Sequence, residues 1–159
     1  NLPAREKMTA PKYQEFAPDR IPQVTPAAGV SVKIIAGEVD GTAGPIIQPS
    51  TDPVYLDITL DAGATWDYVL PDGHNVFAYV FEGELQIGVA DEARPVAAQQ
   101  MAVLGGGNAL HLAAGSSGAR LILVAGRPLR EPVMRHGPFV MNTRQELMQA
   151  FVDFQEGRF

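Results

Sequence analysis

The stretch TWDYVLPDGHNVFAYVFEGELQIGV, Thr65 to Val89, decides how this chain is read. Pro71-Asp72-Gly73 is a turn with a physical basis: Pro presets φ, Asp bonds its own backbone, and Gly accepts a positive φ. Beyond it, Val76, Ala78 and Val80 alternate with Phe77, Tyr79 and Phe81. A strand apolar on both faces belongs in the middle of a sandwich or barrel. Glu82-Gly83-Glu84 is expected to reverse the chain into a second run, Leu85, Ile87 and Val89, which alternates with Gln86 and Gly88 and closes a hairpin.

Working outward, Val54 to Leu60 is the clearest strand. Val54, Leu56, Ile58 and Leu60 face one way and Tyr55, Asp57 and Thr59 the other. Burial of each aliphatic is worth about 1.5–3 kcal/mol before entropy is subtracted, and a one-residue slip would expose all of them. Val30 to Val39 predicts another strand, and Gly41 to Pro53 a loop. Downstream, Asp91 to Pro95 reads as a polar turn, Gln99 to Leu104 as a short strand, and Gly105-Gly106-Gly107-Asn108 as a flexible connection. Ala109 to Ala113 and Ala119 to Ala125 complete the strands. Residues 1–29 hold Pro3, Pro11, Pro18, Pro22 and Pro26 among polar residues, which predicts an extended arm. Thr143-Arg144-Gln145-Glu146 has the form of a capping box, with Leu147, Met148, Phe151 and Phe154 at helical spacing and Gly157 as the closing residue.

The chain has 159 residues, enough for one domain or one domain with an arm. Its 16 glycines and 13 prolines suit many short strands better than helices. Without cysteine there is no disulfide, thiolate metal site or cysteine nucleophile, and a cytoplasmic location is the expectation. No apolar run is long enough for a membrane span. The net charge of −6 disfavours direct nucleic-acid binding. The charge is unevenly spread: Glu38 through Glu92 holds eleven acids and no Lys or Arg, whereas Arg120 through Arg144 holds five Arg and only Glu131. The plain reading of this asymmetry is a solvated acidic surface.

Short strands punctuated by Gly and Pro, followed by one helix, predict an all-β fold: a cupin-type double-stranded β-helix, or jelly-roll barrel, with one C-terminal α-helix. The opening NLPAREKMTAPKYQ, the segment GHNVFAYVFEGEL and the closing GRPLREPVMRHGPFVMNTRQEL…EGRF resemble the C-terminal half of pirin-family proteins over essentially the whole chain. That resemblance implies a bicupin whose N-terminal barrel holds one iron. Family members are associated with quercetin 2,3-dioxygenase activity, and some with redox-linked transcriptional co-regulation. It further implies that residues 1–29 are an extended linker from a preceding N-terminal domain, residues 30–142 the cupin barrel and residues 143–159 the helix. No cofactor is expected in this chain. The implied partners are the N-terminal cupin domain of the same protein and a regulatory protein, with neither nucleic acid nor membrane.

A mononuclear iron site in this fold needs imidazole and carboxylate ligands converging from adjacent strands. Counting back from Glu82-Gly83-Glu84, the family's first His pair falls on Val69 and Pro71. Sliding the register to start at His74 puts the second ligand on Val76. His111 matches a ligand of the second motif, but its companion Glu falls on Ala113. The metal candidates in this chain are therefore the weak pair His74 and His111, with Glu82 the available carboxylate, and the expectation is no metal site. His74 is expected to bond a loop carbonyl, His111 to point outward or partly fill the barrel mouth, and His136 to pack before the helix. Ser116-Ser117 lacks an evident base, and Asp57 with Asp61 is expected to be solvated. Trp66, Tyr68, Phe77, Tyr79 and Phe81 are core candidates, some of which can line an apolar pocket. Arg127, Arg130 and Arg135 are candidates to meet an anion or an acidic neighbouring domain. The readings carried forward are a non-catalytic cupin domain, a stand-alone protein- or small-molecule-binding module, and a self-sufficient metal cupin using His74 and His111.

Overall fold

The computed structural model describes residues 1–158. It contains two compact units, Gln14–Pro128 and Asn1–Tyr13 with Leu129–Phe159. In the larger unit the strands are β1 (Gln23–Ala27), β2 (Val30–Ala36), β3 (Glu38–Val39), β4 (Thr42–Ala43), β5 (Val54–Leu60), β6 (Thr65–Val69), β7 (Asn75–Ile87), β8 (Arg94–Ala97), β9 (Gln100–Val103) and β10 (Ala109–Gly126). Eight of them form one antiparallel sheet in the order β1-β2-β5-β10-β7-β8, with β6 on β10 and β9 on β7.

Two long strands organise this sheet, and here the structure departs from the sequence reading. Glu82-Gly83-Glu84 does not reverse the chain: β7 runs through it, and β6 and β7 pair with β10, not with each other. Likewise Ala109–Gly126 is one continuous strand of 18 residues, not two short ones. Each long strand bends where a glycine adopts a left-handed φ, +74° at Gly83 and +76° at Gly118. Register shifts between Ala114 and Ala119 mark the bend. Side chains are excluded there for steric reasons: a methyl on Gly83 would overlap the Gly118 carbonyl, and one on Gly118 would lie 2.8 Å from the Leu60 carbonyl oxygen. The bends let both halves of β7 and β10 contribute to a single core, with Val32, Ile58, Val80 and Leu121 joined by Leu85, Leu110 and Leu112.

Alternation sets which side chains fill that core. Val54, Leu56, Ile58 and Leu60 are buried as their spacing predicts. On β7, Val76, Ala78 and Val80 are buried while Phe77, Tyr79 and Phe81 are half-buried, so only one face is fully covered. Two expected non-strand segments pair instead: Gln23–Ala27, within the expected arm, adds β1 to the sheet edge, and Arg94–Ala97, within and after the expected turn, adds β8.

The smaller unit pairs β11 (Met134–His136) with β12 (Phe139–Met141) and sets helix α1 (Arg144–Gln155) against that hairpin. The capping box forms in full: Thr143 accepts from the Glu146 amide, and Glu146 Oε2 accepts from the Thr143 amide at 2.8 Å. The buried face is Leu147 and Ala150, with Phe151 packed edge-on to Phe139 at 4.9 Å. Met148 and Phe154, expected on that face, are 58% and 62% exposed. Ala4 donates its amide to Glu131 Oε2 at 2.8 Å, tying the first residues of the chain to this unit.

Two outcomes follow from these constraints. Gly83→Ala should lower stability by at least about 1–3 kcal/mol, from the left-handed φ before the steric overlap is added, measured by urea denaturation. In the smaller unit, the Thr143 bonds hold the Glu146 carboxyl below its ordinary range, and Arg158, followed by Gln149, does the same for Asp153. Both groups therefore favour the folded unit at a pH above the ordinary carboxylate range. That contribution should disappear as pH falls below about 4 and through the depressed folded values. Aromatic NMR signals of Phe139 and Phe151 followed against pH check this.

Candidate functional site

The strand parity that builds the core also decides where the metal-ligand candidates point. On β10, Leu110, Leu112 and Ala114 are buried, so His111 and Ala113 lie on the opposite face. His111 stands directly across from Asp67 on β6, and its Nδ1 donates to Asp67 Oδ1 at 2.7 Å. On β6 and just beyond, Trp66 and Leu70 are buried whereas Val69 is 72% exposed. Glu82 does not turn inward but pairs with Arg120 at 3.0 Å, and that guanidinium lies 4.9 Å from the Phe81 ring centroid.

His74 is held elsewhere, by the loop before β5. Its side chain is 2% exposed. Nε2 lies 2.8 Å from the Asp52 carbonyl oxygen, which can only accept, so that nitrogen carries the proton. Asp52 has a left-handed φ of +45°, and its carboxylate lies 3.3 Å from Arg127 and 3.4 Å from His74. The residue thus pins the loop to the turn after β6 and to the end of β10.

These placements do not make an iron site. His111 is committed to Asp67, His74 to a carbonyl and Glu82 to Arg120, and the core beside them is aliphatic and aromatic. Among the described residues no group of three or more His, Asp or Glu side chains is placed to hold a metal ion. The donor set present does not fit the iron chemistry that the resemblance implies for the family.

A different feature emerges from the loops around β3, β4 and the end of β6. They enclose an open cleft of about 550 Å³, lined by Glu38, Ile46, Gln48, Asp52, Tyr68 and Val69 among others. Tyr68 stacks on Trp66 at 5.0 Å and donates its hydroxyl to the Glu38 carbonyl oxygen at 3.0 Å. Burial, and then the Glu38 carboxylate, push the Tyr68 phenol above its ordinary range. The sequence marked Tyr68 as a possible pocket residue but not its neighbours, because the cleft joins segments about 30 positions apart. The available signal was the cation-free run from Glu38 to Glu92, which supplies almost all of the lining.

The bent eight-stranded sheet with one helix is a cupin fold, and comparison with known proteins agrees. A family model for the pirin C-terminal cupin domain matches residues 55–159. The chain is 48% identical to a pirin-like protein of Caulobacter vibrioides over all of its own length and 56% of that protein. It is 38% identical to pirin of Homo sapiens, covering 99% of this chain and 54% of the relative. The crystal structure of a quercetin 2,3-dioxygenase from Acinetobacter baumannii superposes with a TM-score of 0.89 at 31% identity, over 100% of this chain and 54% of that one. The chain belongs to the pirin family and matches its C-terminal cupin domain. It spans about half the length of the curated relatives it matches.

The two histidines should respond differently to removal. His74→Ala removes the donor to the Asp52 carbonyl together with the packing of a side chain only 2% exposed, and should cost about 1–3 kcal/mol. His111→Ala breaks a partly exposed pair and should cost less than about 1 kcal/mol. Equilibrium denaturation of the two variants measures the difference.

Proposed function

We propose that this chain is the non-catalytic C-terminal cupin domain of a two-domain pirin-like protein, serving to support a preceding cupin domain that carries iron. The observation that carries this reading is the face assignment on β6 and β10. Their inward positions are Trp66, Leu110 and Leu112, while His111, the remaining match to a ligand position, projects from the other face. A core of that composition gives packing energy and no ligands. The complete protein would then bind its metal in the other domain. Its activity there would be of the quercetin 2,3-dioxygenase type, or its iron would serve a redox-linked regulatory role. Kinship to pirins and structural similarity to a quercetin 2,3-dioxygenase support this assignment.

The test compares two proteins. Residues 1–159, incubated with ferrous iron and desalted, should retain well below one equivalent by elemental analysis and should not consume quercetin. A form extended to include the preceding domain should retain iron. Near-stoichiometric iron in residues 1–159, lost in His111→Ala, would overturn the proposal and favour a self-sufficient metal cupin.

A further inference from the structure

We propose that the cleft between the β3–β4 loops and the end of β6 binds a small organic cation: an amine carried on an apolar, ring-sized body. This goes beyond the iron reading and does not depend on it.

Size and lining come first. About 550 Å³ falls within the range of small-molecule sites, which combine an apolar wall with a few polar groups that orient the ligand. The wall here is Ile46, Ile47, Pro49, Pro53, Val69 and Pro71. Ile47 and Val69 are 77% and 72% exposed, so apolar surface stands open to solvent at this place.

The polar groups select the charge. The Tyr68 hydroxyl already donates to the Glu38 carbonyl, so toward a ligand its oxygen is an acceptor. The Glu38 carboxylate takes part in no ion pair among the described residues, whereas Asp52 is engaged by Arg127 and His74. No Lys or Arg lines the cleft. The run from Glu38 to Glu92, which supplies almost all of the lining, holds no Lys or Arg, and Arg127, bonded to Asp52 of the lining, is matched by that carboxylate. An anionic ligand would meet the unpaired Glu38 carboxylate, while Arg127 is already matched by Asp52. An amine would meet the free Glu38 carboxylate and the phenolic oxygen, with its ring against the apolar wall. The high position of the Tyr68 phenol keeps that group neutral across the physiological range, so it does not supply a second anion.

The experiment uses residues 1–159, uniformly ¹⁵N-labelled, titrated with tryptamine and, separately, with indole-3-propionate, which carries a carboxylate on the same ring system. Tryptamine should shift the backbone amides of Glu38, Gly44, Gln48, Tyr68 and Leu70 in a saturable manner, and indole-3-propionate should shift none of them. Glu38→Gln, a nearly isosteric change at an exposed position, should weaken tryptamine binding about tenfold, and raising the ionic strength should weaken the wild type more than the variant. Tyr68→Phe, which removes the acceptor and keeps the ring, should weaken it by a smaller factor. The amide spectrum of each variant without ligand confirms the fold. Equal responses to amine and acid, shifts confined to another surface, or unchanged affinity in Glu38→Gln would each overturn the proposal. None of these outcomes bears on iron retention, so failure here and failure of the cupin-domain reading are distinguishable.

Discussion

The steric crossing of two backbones at Gly83 and Gly118 is the constraint on which the larger unit depends. Both residues need a left-handed φ, and a methyl at either would run into a carbonyl oxygen. Because β7 and β10 bend there while staying paired, one half of each faces the other across a shared apolar core. With straight strands, Leu85 and Leu112 would continue away from Val80 and Leu121 instead of joining the same cluster. The cupin architecture is in this sense a consequence of two glycines and the alternation on either side of them.

Parity passes from that crossing to chemistry. Once Leu110, Leu112 and Ala114 are committed to the core, His111 must lie on the other face, where Asp67 is its cross-strand neighbour. A metal centre would need at least three donors to turn inward at positions where Trp66, Leu70 and Leu112 supply packing instead. Leu70 and Leu112 contribute burial there and demand no polar partner.

Polar side chains of the larger unit hold its loops in place. Asp52 ties together His74, Arg127 and the loop before β5. Tyr68 fastens β6 to Glu38 in β3. Both anchors border the cleft, so the bonds that order these loops also give the cleft its walls. In the smaller unit, Glu131 accepts from both Ala4 and Asn142, joining the first turn of the chain to the residue before the helix cap. Its core of Met141, Leu147 and Ala150 is small, which makes such bonds a large share of its order.

Several elements were legible from residue order alone. The period-two pattern of Val54 to Leu60 settled both a strand and its buried face, because a half-covered sheet admits one register. Thr143 and Glu146 announced a helix start, since the capping box is a local bond pattern four residues long. The string resembling pirins identified the family. What residue order did not disclose were the features made by distant segments. Glu82-Gly83-Glu84 looks like a turn locally, and only pairing with β10 on both sides of Gly83 makes it a bend within one strand. The helix buries Ala150 and exposes Met148 and Phe154, because the hairpin β11–β12 covers a narrower stripe than hydrophobicity alone suggests. The cleft brings Glu38 to Tyr68 across 30 positions. Local bonding and periodicity are written in short windows of sequence, whereas which windows meet is decided by the packing of the whole chain.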